Sequence, residues 1–196
     1  MQHSVQFLLS ALSPEQFPAP GLPEIAFLGR SNVGKSSLLN ALVGARAARV
    51  SSTPGRTRAI NFFAVSRDRR TPQMIFADLP GYGYAKISKS VSATWPAFIE
   101  PYLAERPTLA LCVCLVDASV PPRPNDLQLF TWLRARGRAF LAVATKADRL
   151  SGNQRARNLA ALRRDLGLVE ILPVSAKTGD GVPDLWRKIA KADACE

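Results

Sequence analysis

The sequence predicts an α/β fold: a mostly parallel central sheet with helices on both faces, in three layers. Three observations predict it. Short apolar runs of strand length recur along the chain, separated by stretches with helical spacing. Each run ends in a polar cluster, and open α/β sheets bind ligands at the carboxyl ends of their strands. Gly29-Arg30-Ser31-Asn32-Val33-Gly34-Lys35-Ser36 reads G-x-x-x-x-G-K-S between one such run and a helical stretch, the context a phosphate-binding P-loop needs.

Composition sets the bounds. The chain has 196 residues, enough for one domain with a sizeable core. Its net charge of +11 points to a polyanion, nucleic acid or an anionic membrane face. Solvated surface cations are the plainer explanation of any one run. Three cysteines do not make a disulfide framework. Cys112 and Cys114 lie in an apolar run and read as buried thiols; a C-x-C zinc pair would need partners. Cys195 reads as incidental. No apolar run approaches the length of a membrane span, and the start lacks the cations of a signal peptide. These features predict a cytoplasmic protein with no integral membrane segment.

In chain order, residues 4–12 read as an extra edge strand within an N-terminal extension over 1–22. Pro14, Pro18, Pro20, Gly21 and Pro23 form a turn-rich lead-in. Glu24 to Leu28 is a buried strand. The run after the P-loop, Ser37 to Val43, reads as a helix whose start turns unpaired N–H groups and its positive dipole end toward an anion. Gly29 and Gly34 admit a phosphate closely, Lys35 supplies charge, and the Ser36 hydroxyl suits Mg²⁺.

Residues 45–59 read as a cationic loop, with no acidic residue between Glu24 and Asp68. Thr57, following Gly55 and Arg56, sits where a switch threonine would reach Mg²⁺ and the γ-phosphate; an ordinary turn threonine is the alternative. Residues 60–65 and 73–77 read as strands joined by a basic turn at 67–70. The second delivers Asp78-Leu79-Pro80-Gly81, a D-x-x-G in which Asp78 meets Mg²⁺ through water and Gly81 offers its N–H to the γ-phosphate. Tyr82-Gly83-Tyr84-Ala85-Lys86 reads as a mobile loop that either presents its rings to a partner or folds onto the core. Residues 88–105 look helical, with Pro96 and Pro101 complicating the pattern.

Leu109 to Val116 is the cysteine-bearing strand, ending at Asp117. A helix over 126–136 follows, then a strand over 139–144 that delivers Thr145-Lys146-Ala147-Asp148. This T-K-A-D matches N-K-x-D with Thr for Asn; its Asp can accept from N1–H and the 2-amino group of guanine. A helix cap is the alternative. Residues 151–166 form a basic helix, and 169–174 the last strand. Val174-Ser175-Ala176-Lys177 then offers backbone to the guanine O6. The final helix turns Leu185, Trp186 and Ile189 inward.

The order P-loop, switch Thr, D-x-x-G, T-K-x-D, S-A-K is that of a P-loop NTPase of the G-domain type. At this level the chain resembles the EngB (YihA/YsxC) family within the TrmE-Era-EngA-EngB-Septin-like GTPases. The resemblance rests on Pro23-Glu24-Ile25-Ala26-Phe27, the P-loop with Ser37-Leu38, Thr53-Pro54-Gly55-Arg56-Thr57, Asn61-Phe62-Phe63, Asp78 through Ala85, and Thr145 through Asp148. It covers nearly the whole chain and implies a single G domain over 23–196. It also implies GTP and GDP binding with Mg²⁺, and a role on precursors of the large ribosomal subunit and its rRNA. An indirect link to cell division is implied as well. Nucleotide contacts are implied for Gly29 through Ser37, Gly55 to Thr57, Asp78 to Gly81, Thr145 to Asp148 and Val174 to Lys177. Ser36, Thr57 and Asp78 serve the metal.

Two departures from type matter. Many members carry an Asp-x-Arg-His-like stretch where this chain has Asp117-Ala118-Ser119-Val120. Tyr82 occupies the position of the Gln that orients water in signalling GTPases. Slow intrinsic hydrolysis follows as the expectation, stimulated by a partner or by K⁺, for which Asn32 is the candidate ligand. No dimer seam is visible, so a monomer is expected away from the ribosome.

Overall fold

The computed structural model describes residues 4–44, 59–66, 71–82 and 97–192. In chain order the elements are β1 (Ser4–Ala11), β2 (Glu24–Gly29), α1 (Lys35–Val43), β3 (Ile60–Ser66), β4 (Met74–Asp78) and α2 (Ile99–Glu105). They continue with β5 (Leu109–Asp117), α3 (Pro124–Ala135), β6 (Phe140–Thr145), α4 (Gly152–Asp165), β7 (Leu172–Pro173) and α5 (Val182–Ala192). The strands form one sheet in the order β1-β3-β4-β2-β5-β6-β7. β4, β2, β5, β6 and β7 run parallel, and β3 runs against both β1 and β4.

Side-chain alternation divides β2 between two cores. Ile25 and Phe27 join Leu38, Leu42, Leu185 and Ile189 under α1 and α5. Ala26 and Leu28 join Tyr102, Leu103, Phe130 and Leu162 under α2, α3 and α4. The period of two that makes a strand bury both faces thus produces the three layers. Cys112 and Cys114 are buried in the second of these cores, where burial pushes the Cys112 thiol up to about 12 and that of Cys114 well above its ordinary value. They are packing residues; among the described residues no His, Cys, Asp or Glu group is arranged to hold a metal.

Two elements differ from their sequence reading. The last strand contracts from 169–174 to Leu172–Pro173, because Val169 is 99% exposed and only Leu172 and Pro173 pair with β6. Pro173 is tolerated because this is an edge strand. The helix expected over 88–105 is described only as Ile99–Glu105; residues 88–96, with Trp95 and Pro96, lie outside the described residues, as do the 67–70 turn and Cys195. Pro101 falls in the first turn of α2, where an N–H has no helical acceptor. No described helix is long and apolar enough to cross a membrane.

At the lower end of the sheet Glu24 is fully buried. Its carboxylate accepts from Tyr102 Oη at 2.7 Å, Thr108 Oγ1 at 2.6 Å, and Arg106 Nε and an Arg106 terminal nitrogen at 2.8 and 2.6 Å. Both Arg106 bonds fall on Oε1, and this charge-assisted pair locks the start of β2 to the end of α2. Arg106→Ala strands the carboxylate and is expected to lower unfolding free energy by about 3 kcal/mol or more in urea titrations. Arg164→Ala, at a 77%-exposed surface pair, should change it by less than about 0.5 kcal/mol.

Candidate functional site

The site is built where β2, β4, β5, β6 and β7 end. Register places those ends level: Phe27 lies beside Asp78, Gly29 beside Leu115, and Asp117 beside Thr145. The chain leaves β2 through a turn with φ of 64° at Asn32 and 104° at Gly34. That left-handed conformation suits Asn and Gly and costs bulkier residues. It delivers Gly34 as the N-cap of α1, with Lys35, Ser36 and Ser37 in the first turn. Lys35 forms an ion pair with Asp78, both side chains largely buried. The lysine of the G-K-S motif and the carboxylate of D-x-x-G are therefore in contact.

The T-K-A-D segment joins the P-loop directly. Thr145 Oγ1 lies 2.6 Å from the Val33 carbonyl and 3.1 Å from that of Val116. A hydroxyl has one proton, so the Val33 bond dominates and the second is a weaker share. Thr145 thus ties β6 to the P-loop with a hydroxyl where the motif's usual Asn carries an amide. Lys146, at φ 59°, donates Nζ to the Asn32 carbonyl at 2.9 Å and to Asp117 Oδ2 at 2.7 Å. Ala147 N–H reaches the Val174 carbonyl. Asp148 is exposed, and its Oδ1 accepts from Ser175 Oγ at 2.7 Å. Ser175 is buried; its hydroxyl oxygen in turn accepts the Lys177 and Thr178 N–H groups. Val174, Ser175, Ala176 and Lys177 therefore stand beside Asp148, held in a fixed loop.

Asp117 was not among the expected site residues. Besides Lys146 it accepts the Ser119 N–H at 2.9 Å and the Ser119 hydroxyl at 2.6 Å. The Asp117-Ala118-Ser119-Val120 stretch is thus an Asx turn that orients the lysine. Burial alone would raise the Asp117 carboxyl, but Lys146 and the two Ser119 donors outweigh it and hold it below its ordinary value. Asn158 on α4 adds a bond to the Ala118 carbonyl at 2.9 Å. The signal available in the sequence was a carboxylate at the end of a buried strand, at the level of the other motifs.

Gly81 fits its place because it has no side chain: a Cβ there would lie 2.9 Å from Ser31 N. Tyr82 is in the core, settling the choice left open for its ring. Leu79 and Pro80 are also buried. The Arg30 guanidinium points to Asp126, so Arg30 can serve a nucleotide through its backbone. Gly55, Arg56, Thr57 and Tyr84 lie outside the described residues.

Residues 24–146 match the profile of a family described as 50S ribosome-binding GTPase. A probable GTP-binding protein EngB of Acidobacterium capsulatum is 61% identical over 196 residues, covering 99% of this chain and 93% of that one. The chain belongs to the EngB family of GTP-binding proteins. A second EngB relative, from Koribacter versatilis, is 58% identical over 193 residues, covering 98% and 95%. The crystal structure of a probable GTP-binding protein EngB shares the fold, with TM-score 0.67, 22% identity and coverage of 87% and 98%. Aquifex aeolicus Era bound to GDP·AlF4⁻ gives TM-score 0.71 at 25% identity, covering 87% of this chain and 56% of that one. Era in complex with MgGDPNP and a 16S ribosomal RNA segment gives 0.70 at 26%, with the same coverage. The G-domain fold and the EngB resemblance read from the sequence agree with these findings.

The lowered Asp117 carboxyl has a signed consequence. A carboxyl depressed on folding contributes stability above its unfolded value, about pH 4, and loses it as pH falls through the folded one. The stability advantage of the native chain over Asp117→Asn should be full at about pH 6 and shrink below about pH 4, as read by urea unfolding.

Proposed function

We propose that this EngB-family protein is a slow GTPase that acts as a nucleotide-dependent switch in assembly of the large ribosomal subunit. The observation that carries the reading is the convergence at one sheet end of the P-loop, Asp78, Thr145–Asp148 and the Ser175 loop, cross-tied by Lys146. The N–H groups of residues 32–36 and Lys35 take the β- and γ-phosphates. The Lys146 stem lies along the base, Asp148 reads N1–H and the 2-amino group, and the Ser175–Lys177 backbone meets O6.

The donor set fits Mg²⁺. Ser36 follows Lys35 in the first turn of α1 and Asp78 pairs with Lys35, so two hard oxygen donors flank that lysine in sequence and in contact. With no group of three His, Cys, Asp or Glu among the described residues, the ion would depend on phosphate oxygens and water, as Mg²⁺ commonly does. Ser36 and Thr57 would hold it directly and Asp78 through water, and it would neutralise charge on the phosphates. Lys35 must then exchange its Asp78 partner for phosphate, coupling D-x-x-G to nucleotide loading.

Tyr82 takes the place of the water-orienting Gln, and its hydroxyl is engaged by Asp126 at 2.9 Å. That supports slow hydrolysis, with water positioned by a partner or aided by K⁺ near Asn32. It also favours a second reading, a nucleotide-gated RNA-binding protein with negligible hydrolysis of its own. The net charge of +11 suits rRNA, and exposed Arg157, Arg163 and Arg164 line α4. In this reading the protein works in the cytoplasm as a monomer away from the ribosome. Any effect on cell division is indirect.

Co-sedimentation with large ribosomal subunits and their late precursors, across a salt series, tests the switch. Retention with a non-hydrolysable GTP analogue and release with GDP is expected; equal, salt-controlled retention would reduce the basic surface to general RNA affinity. GTP turnover should be faster in K⁺ than in Na⁺, and equal rates would remove Asn32 from the cation assignment.

A further inference from the structure

One buried polar cluster joins Arg30 of the P-loop to two residues outside the expected nucleotide contacts. Tyr82 is 1% exposed and donates its hydroxyl to Asp126 Oδ1 at 2.9 Å. Asp126, 2% exposed in the first turn of α3, accepts the Arg123 N–H at 2.8 Å on Oδ2 and lies 3.5 Å from an Arg30 guanidinium nitrogen. Three elements thus meet on one carboxylate: the P-loop through Arg30, the D-x-x-G segment through Tyr82, and α3.

The backbone shows what this meeting fixes. β4 ends at Asp78, yet the chain beyond it stays beside β2. Leu79 N–H reaches the Phe27 carbonyl at 3.2 Å and Tyr82 N–H the Gly29 carbonyl at 3.3 Å, while the Tyr82 carbonyl accepts from Ser31 N–H at 3.2 Å. Tyr82 and Arg30 form a parallel bridge. Gly81 is held in the step before that bridge, so close to Ser31 that a Cβ would not fit. A Phe would fill the Tyr82 pocket without a buried hydroxyl to satisfy. The polar pair adds direction, since it pins the ring to α3 at one point. Burial, reinforced by the Asp126 charge, pushes the Tyr82 phenol well above its usual range, so it remains a donor.

We propose that Tyr82 and Asp126 are positioning residues that set the placement of Gly81 at the P-loop and thereby the preference for a guanine nucleotide carrying a γ-phosphate over GDP. The proposal rests on the nucleotide reading above, in which the Gly81 N–H meets the γ-phosphate. GDP has no group at that point. Loss of the anchor therefore weakens triphosphate binding selectively, which a purely structural role would not do.

The test is calorimetric titration of GDP and GDPNP, with Mg²⁺, into the full chain and into Tyr82→Phe, Asp126→Asn and the double variant. Tyr82→Phe keeps the buried ring and so preserves the packing if Asp126→Asn proves unstable. Loss of one charge-assisted hydrogen bond predicts GDPNP binding weakened about tenfold, with GDP unchanged within about twofold. The double variant should be no worse than the worse single one, because both changes break the same link. Proportional weakening of both nucleotides, unchanged binding of both, or tighter GDPNP binding would overturn the proposal. A native chain that binds neither guanine nucleotide would instead overturn the reading beneath it.

Discussion

The turn from Arg30 to Gly34 is the constraint on which the site depends. Its left-handed residues, Asn32 and Gly34, bend the backbone so that α1 begins directly after β2. Each neighbouring motif then takes hold of that turn. Thr145 and Lys146 donate to its carbonyls at Val33 and Asn32, Tyr82 pairs with Gly29 and Ser31, Lys35 meets Asp78, and Arg30 meets Asp126. A backbone with this many carbonyls and N–H groups outside regular structure must find them partners when buried. Here the partners come from the D-x-x-G and T-K-A-D segments and from α3, so satisfying the turn also fixes the motifs relative to one another.

Most of the fold was legible because strands buried on both faces appear as uninterrupted apolar runs. Glu24 to Leu28, Leu109 to Val116 and 139–144 were each recognisable in that way. The last strand was overextended because Val169 and Ile171 have strand-like side chains, while exposure of Val169 and the short pairing with β6 are tertiary facts. The motifs at the strand ends were legible because each is local. Asp117, Asp126 and Asn158 were not, because their partners are 29, 44 and 40 residues away. No spacing rule connects a carboxylate to a lysine or tyrosine across that distance.

The structure also separates two kinds of polar burial. Glu24 is enclosed by Tyr102, Arg106 and Thr108 at the end of the sheet remote from the nucleotide motifs, where it secures α2. Asp78 and Asp117 are each paired with one lysine, Lys35 and Lys146, at the opposite end. The first group ties a helix to the sheet; the second ties one motif to the next.

The division of β2 between two cores has a consequence for how this chain can vary. Removing or inserting one residue between Glu24 and Gly29 would exchange Phe27 and Leu28 between the layers, because side chains alternate along a strand. The same change would carry Gly29 out of line with Leu115 and the turn out of reach of Thr145. Packing and ligand chemistry therefore impose the same length on this strand. Indels that preserve function should accumulate away from it, in the connections that neither core nor site measures.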